Sequence, residues 1–161
     1  MALFGLLDSK TDAIGVLKQD HKKLKDFFKT FKDAKGKAGQ RRIVGDILTE
    51  LSAHAKVEEE IFYPTVRKAA KGGEMGDLLD EAWEEHHVAK VLMAELRGMA
   101  PGDDRYKAKV TVLGENIKHH IGEEEGEMFP KVQALKIDLE DLGERIATRK
   151  AALLTTGRSA R

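Results

Sequence analysis

The sequence of 161 residues contains no cysteine. The absence of thiols excludes a disulfide framework, a thiolate zinc site, an iron–sulfur cluster and a cysteine nucleophile. Any metal ion held by this chain must therefore be bound by nitrogen and oxygen ligands.

Long apolar runs are also absent. No stretch approaches the roughly 20 consecutive apolar residues that a membrane-spanning helix requires. The N-terminal segment from Met1 to Leu7 is followed by Asp8 and lacks the basic start of a secretory signal. These features predict a cytoplasmic protein that has no membrane partner.

The charges show no excess of either sign, since 28 Lys and Arg residues balance 28 Asp and Glu residues. A surface that binds duplex nucleic acid needs an excess of cationic side chains to displace counterions. The acidic runs at 58–60 and 123–125 further interrupt the lysine-rich segments. The sequence therefore predicts no nucleic-acid partner, and its length favours one domain over a two-domain enzyme.

Proline is scarce, with three residues in the chain. The β-branched residues are scattered, while Ala, Leu, Lys and Glu dominate long stretches, which predicts an all-α fold. Turn-forming residues cluster at 35–39, 71–73 and 99–104. They separate four long helices that we expect near 11–34, 40–70, 76–98 and 103–134. Short loops between long helices favour an up-down-up-down four-helix bundle.

A weaker amphipathic segment follows the fourth helix, from about Asp138 to Leu154. Its apolar residues on one side are Leu139, Leu142, Ile146 and Leu153. The pattern predicts a short C-terminal helix that either packs on the bundle as a fifth helix or forms a homodimer contact. The expected organisation is an N-terminal segment at 1–10, a bundle at 11–134, and a C-terminal helix and tail at 135–161.

The two halves of the sequence repeat one pattern. Residues 54–64 (HAKVEEEIFYP) and 120–130 (HIGEEEGEMFP) each place Glu four residues after His and Pro ten residues after it. Upstream, Asp20-His21 and Glu85-His86 are each followed by apolar residues at offsets of three, six, seven and ten. This repeat predicts two helix pairs of one design with a pseudo-twofold site between them.

Polar residues interrupt the apolar stripe of every long helix. We expect the stripe of the second helix to continue through Ile61 and Thr65, and that of the fourth through Met128, Lys131 and Leu135. Trp83 is expected on the stripe of the third. Antiparallel packing brings the polar stripe residues to one level of the core. These residues are His21, His54, Glu58, His86, His120 and Glu124.

Six ionisable groups at one level of a core would cost several kcal/mol each if left unpaired. They either satisfy one another in a buried hydrogen-bonded network or are neutralised by a pair of metal ions. A metal-free network requires mixed protonation of six groups, whereas neutral imidazoles and carboxylates are ligands that iron, zinc and manganese accept. We therefore interpret the six residues as metal ligands.

Neighbouring polar residues leave some alternatives open. His119 lies off the stripe and is expected to be a solvated surface residue, whereas His87 is an alternative to His86 or a partner of it. A further alternative is that Tyr63 or Glu59 completes the ligand set. The remaining glutamates of the two acidic runs and their flanks are expected to form a solvated face, namely Glu59, Glu60, Glu123, Glu125 and Glu127.

Together these residues resemble the haemerythrin-like, HHE cation-binding family, in its bacterial single-domain type. The resemblance spans most of 11–134 and rests on His21, His54 with Glu58, Trp-Glu-Glu-His86, His120 with Glu124, and the closing elements Phe62-Tyr63-Pro64 and Phe129-Pro130. It implies a four-helix bundle around two non-haem iron ions joined by an oxo or hydroxo bridge. It also implies that the four histidines bind iron and that the two glutamates bridge the ions.

The animal oxygen carriers of this family have five histidine ligands, whereas only four histidines fit here. The implied ligand count leaves one open position on each iron for a diatomic or peroxide ligand. The resemblance thus implies reaction with hydrogen peroxide, O2 or nitric oxide in oxidative or nitrosative stress defence, with a catalase-like or nitric-oxide-reactive activity. The alternative is an O2-binding or iron- and redox-sensing protein without catalytic turnover. A structural metal site, or a metal-free bundle with a polar layer, is a third interpretation.

Overall fold

The structure, a computed structural model, describes residues 12–159, so the predicted segment 1–10 lies outside it. The helices are α1 (Ala13–Asp33), α2 (Lys37–Val57), α3 (Tyr63–Ala70), α4 (Glu74–Arg97), α5 (Tyr106–Glu123), α6 (Phe129–Gln133) and α7 (Leu139–Ser159). Two π-helical segments join consecutive helices, π1 (Glu58–Phe62) between α2 and α3 and π2 (Glu124–Met128) between α5 and α6. The predicted all-α fold is confirmed. Each helix within 12–159 is too short or too polar to cross a lipid bilayer.

Local sequence explains where the helices begin and end. The Asp12 carboxylate caps α1 by accepting hydrogen bonds from the backbone N–H groups of Ile14 and Gly15, at 2.7 and 3.3 Å. After α3 the backbone turns through positive φ angles at Lys71, Gly72 and Gly73. Glycine adopts this left-handed region without the steric cost of a Cβ atom. The chain therefore reverses direction at the predicted turn.

Four helical rods form the bundle: α1 packs on α2, α4 packs on α5, and the two pairs meet through α1 with α5 and α2 with α4. The polar level divides the apolar core into two clusters. One lies towards the 34–36 turn and includes Leu24, Ile47, Leu51, Met93 and Leu113. The other lies towards α3 and includes Leu17, Phe62, Leu79, Phe129 and Val132. The site is thus held between two packed apolar layers.

Helix α7 packs against α1 and α2 and belongs to the bundle. Leu142 and Ile146 are almost completely buried, in the same cluster as Leu17. The helix has 21 residues and is as long as α1, so it is longer than the short helix predicted. The apolar face on which the predicted homodimer contact rested is therefore occupied within the chain.

The π-helical segments change which residues face the core. In each segment the N–H of the following residue bonds to a carbonyl five positions earlier, from Tyr63 to Glu58 and from Phe129 to Glu124. The second stripe was predicted to continue through Ile61 and Thr65, and this prediction is wrong. The buried residues are instead Phe62, Tyr63 and Val66. The extra residue in the π turn shifts the inward face by one position.

The same shift follows π2. Lys131 and Leu135 are only partly buried, while Phe129 and Val132 take the core positions. Trp83 was also predicted on the inward stripe of α4, but its side chain is 40% exposed and Ala82 is buried in its place.

Candidate metal centre

The six predicted ligands converge in the middle of the bundle. Each of α1, α2, α4 and α5 contributes one histidine, and each π-helical segment begins with one glutamate. None of the six is more than 3% exposed: they are His21, His54, Glu58, His86, His120 and Glu124. The structure therefore gathers the whole predicted set at one level.

The carboxylate of Glu58 lies between the two histidine pairs. Its Oε1 atom is 3.1 Å from Nε2 of His54 and 3.9 Å from Nε2 of His21. Its Oε2 atom is 3.1 Å from Nε2 of His86 and 3.7 Å from Nε2 of His120. One carboxylate thus presents a different oxygen to each half of the centre.

Glu124 closes the other side of the cluster. Its Oε1 atom lies 3.4 Å from Nε2 of His21 and 2.9 Å from Nε2 of His120. Two groups of potential ligand atoms result, each with all its atoms within 4.8 Å of one another. The first is His21, His54, Glu58 and Glu124, and the second is Glu58, His86 and His120. The two groups share Glu58.

Each of the four histidines is oriented by a carboxylate outside the cluster. An ionised carboxylate only accepts hydrogen bonds, so the Nδ1–H group of each ring is the donor. The four pairs are His21 to Glu125 at 2.9 Å, His86 to Glu59 at 2.9 Å, His54 to Asp20 at 3.0 Å and His120 to Glu85 at 3.4 Å. A neutral ring held in this way directs its Nε2 lone pair into the cluster, which is the usual arrangement of a metal-binding histidine.

These outer carboxylates correct one prediction. Glu59 and Glu125 were expected on a solvated face, but Glu59 is only 12% exposed and both bond to a histidine of the cluster. Each follows a cluster glutamate directly in the sequence, and Asp20 and Glu85 each precede a cluster histidine. This role was not predicted from the sequence, and the acids at matching positions in both halves are the sequence feature that could have indicated it.

The buried polar atoms of the centre fit a bound cation. Nε2 of His21 and His54 and Oε1 of Glu58 and Glu124 are inaccessible to solvent and have no hydrogen-bond partner. Although His54 and Glu58 approach to 3.1 Å, the alignment of these atoms does not form a hydrogen bond. Buried unpaired polar atoms are costly, and a cation placed among these nitrogen and oxygen atoms would satisfy them together.

The electrostatics of the metal-free chain follow from the same contacts. Burial opposes the charged form of His54, but the charge of Glu58 and the hydrogen bond to Asp20 outweigh burial and raise its pKa to about 10. Burial also raises the pKa of Glu58, but the surrounding imidazoles, His54 foremost, hold that pKa well below its usual value. Protons on the rings thus neutralise the carboxylates, and a metal ion would replace those protons.

Tyr63 projects into the centre as well. Its hydroxyl oxygen is 3.0 Å from Oε2 of Glu58, 3.1 Å from Oε2 of Glu124 and 3.3 Å from Nε2 of His86. Residues five apart point about 140° apart in a regular α-helix, so Tyr63 shares a face with Glu58 only because of the π turn. Burial and the two glutamate charges raise the pKa of Tyr63 well above its usual value.

The second half of the repeat carries Phe129 where the first carries Tyr63. The Phe129 ring stacks on His21 with a centroid distance of 5.7 Å and an interplanar angle of 4°. A hydroxyl group therefore lies on the His86 side of the centre, and an apolar ring lies on the His21 side.

The other two histidines lie outside the cluster. His87 is exposed and lines a surface groove with Trp83 and Lys90. His119 is 67% exposed and lies 3.0 Å from Glu123, as expected for a surface residue. Of the two adjacent candidates on α4, the structure thus places His86 in the cluster.

Comparisons with known proteins agree with this architecture. A crystal structure of a Hemerythrin HHE cation binding domain-containing protein from Mycobacterium kansasii, an Rv2633c homolog, matches with a TM-score of 0.77 and 25% identity. The match covers 90% of this chain and 88% of that one. The uncharacterized protein Rv2633c of Mycobacterium tuberculosis is 28% identical over 144 residues, which is 86% of this chain and 84% of that protein.

A DNA nickase from Nostoc sp. is also similar, with 28% identity over 118 residues. The match covers 73% of this chain but 32% of the nickase, so the chain spans about a third of that relative's length. The nickase name describes the longer protein, and the absence of a nucleic-acid partner stays a prediction here. The model of the Hemerythrin HHE cation binding domain matches residues 12–132. The chain therefore belongs to the hemerythrin HHE cation-binding domain family.

Proposed function

We propose that this protein is a non-haem di-iron protein that reacts with hydrogen peroxide, O2 or nitric oxide in oxidative or nitrosative stress defence. The carboxylate of Glu58 carries the proposal, because its two oxygens face different histidine pairs. His21 and His54 would hold one ion and His86 and His120 the other. Glu58 and Glu124 would lie between the ions and offset their charge.

The choice of iron rests on the ligand set and the family. Imidazole and carboxylate ligands without thiolate suit iron, although zinc and manganese accept them too. Bound iron would supply the redox change and the Lewis acidity that chemistry on peroxide or nitric oxide requires. Because affinity alone does not select iron over zinc or manganese, elemental analysis of the isolated protein tests this choice.

The chain's own residues make the two sides of the centre different. The Tyr63 hydroxyl holds a proton within hydrogen-bond distance of Glu58 and Glu124. On the opposite side Phe129 covers the His21 ring and keeps water away from it. All six ligand candidates are at least 97% buried, which favours ligands of a few atoms over larger organic substrates.

The test is to load the protein with Fe(II) without oxygen, measure iron per chain, and follow oxygen release from hydrogen peroxide. We expect two irons per chain and turnover above that of free iron, both lost in Glu58→Ala and both retained in the surface control His119→Ala. Full iron occupancy without turnover of peroxide or consumption of nitric oxide would contradict the reactive function. Reversible oxygenation of that same protein would then favour the O2-binding or sensing alternative.

A further inference from the structure

A partly buried lysine, Lys150, connects helix α7 to the metal centre. Nζ of Lys150 contacts one carboxylate oxygen of Asp20 and one of Glu50. The other oxygen of Asp20 accepts the Nδ1–H group of His54 at 3.0 Å. A continuous chain of polar contacts thus runs from α7 through Asp20 to a histidine of the cluster.

Asp20 depends on Lys150 for its charge partner more than Glu50 does. Glu50 has a second cation, since Nζ of Lys23 lies 2.9 Å from its other oxygen. Asp20 is 5% exposed, and among the side chains that the structure describes it pairs only with Lys150 and His54. A buried carboxylate that loses its cation must either move or recruit water. Loss of Lys150 would therefore release Asp20, while Glu50 keeps a partner.

Among the side chains that the structure describes, no cation of α7 contacts the carboxylates that orient His86 and His120. The counterpart of Asp20 in the repeat is Glu85, which accepts from His120 at the longer distance of 3.4 Å. Its Oε2 atom is buried and has no hydrogen-bond partner. Among the side chains of residues 12–157, no lysine or arginine lies at ion-pair distance from Glu85, whose ion-pair contacts are with His119 and His120. In that half a cation holds Glu59 instead, because Nζ of Lys90 lies 2.6 Å from its Oε2 atom while its Oε1 atom accepts from His86. Lys90 lies on α4 together with His86, whereas Lys150 brings a further helix, α7, to the Asp20 half.

We propose that Lys150 is a positioning residue for the His54 half of the centre and acts through Asp20. By holding one oxygen of Asp20, it fixes the other oxygen against His54 and so fixes the direction of that ring. This ties the docking of α7, which lies beyond the family match at 12–132, to the geometry of one half of the site. The effect on metal affinity rests on the proposed two-ion function, but the effect on the His54 ring does not.

The first test uses the metal-free protein and its histidine side-chain signals in 1H–15N NMR spectra. In Lys150→Met we expect the Nδ1–H signal of His54 to broaden through faster exchange with water, while that of His120 is unchanged. Lys150→Arg, which keeps the charge, should restore the signal. Lys23→Met is the matched control, because it removes the other cation on Glu50 without touching Asp20. Lys150→Gln repeats the test if the Met variant does not fold.

The second test measures Co2+ binding by absorption. Loss of a residue that orients a metal ligand typically lowers metal affinity about 10- to 100-fold. We expect Lys150→Met to weaken the binding of one of two Co2+ ions by about tenfold and to leave the affinity for the other unchanged. In the double variant with Asp20→Asn, Lys150→Met should cause no further loss of affinity. An unchanged His54 signal in folded Lys150→Met or Lys150→Gln would overturn the inference, whatever the metal content. Failure of the wild-type protein to bind two ions would instead contradict the proposed function.

Discussion

Tyr63 makes the two halves of the metal centre chemically different, because the equivalent residue of the second half is Phe129. Tyr63→Phe removes one hydroxyl group and keeps the buried ring. In the iron-loaded protein we expect iron per chain to stay the same and peroxide turnover to fall, because the proton that Tyr63 holds beside Glu58 and Glu124 is gone. Loss of the hydrogen bond should lower the free energy of unfolding of the metal-free protein by about 1 kcal/mol.

The matched control is Tyr106→Phe, because Tyr106 is the other tyrosine of the chain and is buried in the opposite apolar cluster. It should leave peroxide turnover unchanged. Turnover that is the same in Tyr63→Phe and wild type would show that this hydroxyl takes no part in the reaction.

The ionisable groups of the centre make the stability of the metal-free protein depend on pH. The pKa of His54 is raised from 6.5 to about 10, so its stabilising contribution is complete below pH 6.5 and lost as the pH rises through 10. The pKa of Glu58 is lowered from 4.5, so its contribution is complete above pH 4.5 and lost on further acidification. We expect the free energy of unfolding, measured in urea, to fall at both extremes.

His54→Gln separates this effect from general alkaline denaturation. The variant should lose part of the decline between pH 6.5 and pH 10, because the group whose pKa is raised is gone. His119→Gln, at an exposed histidine, should follow the wild-type curve. An identical alkaline decline in wild type and His54→Gln would contradict the assignment of the raised pKa.

Among the elements, α5 contains two glycines whose surroundings differ. A Cβ atom added to Gly122 would meet open space, whereas one added to Gly114 would lie 3.0 Å from Cδ1 of Phe28. Replacing a helical glycine with alanine stabilises by roughly 0.5–1 kcal/mol when nothing opposes it. We expect Gly122→Ala to gain about this amount in urea unfolding and Gly114→Ala to gain less. Equal gains would indicate that Phe28 moves freely, and a loss at Gly122 would contradict the packing around α5.

The π-helical segments are the elements on which the site depends most. Each begins at a cluster glutamate and ends before an aromatic residue that packs against a cluster histidine. A regular helix would turn Tyr63 and Phe129 away from the core, because residues five apart then diverge by about 140°. The periodicity of the sequence indicated that α2 and α5 are long helices, but a constant period does not show where an extra residue is inserted.

For the whole molecule, metal binding and folding should be linked. The ligands come from four helices and meet only in the folded chain, so metal binds the folded state and raises the free energy of unfolding. At a free metal concentration 100 times Kd the increase should be about 2.7 kcal/mol for one site. Calorimetry with and without Fe(II) measures it as a rise in Tm.

Two variants calibrate this measurement. Glu58→Ala removes the residue shared by both groups of ligand atoms and should abolish the rise in Tm together with the metal content. His119→Ala should preserve both, since this side chain is mostly exposed. A rise that survives in Glu58→Ala, or disappears in His119→Ala, would place the bound metal elsewhere.

Local patterns in the sequence were sufficient to predict the helices, the turns and the level of six polar residues in the core. Helix formation, turn residues and the side of a helix on which a residue lies are governed by neighbours within a few positions. The internal repeat added the pairing of the halves, because His21, His54, His86 and His120 recur at matching positions. These features were therefore accessible without coordinates.

The other features of the site depend on packing between segments that are distant in the sequence. Lys150 and Asp20 are 130 positions apart, and His21 and Glu125 are 104 positions apart, so no local pattern indicates that they meet. The inward direction of Tyr63 depends on the π turn. The apolar face of α7 is covered because this helix packs against α1 and α2. Such contacts arise when burial forces polar groups from different helices to find partners in one interior.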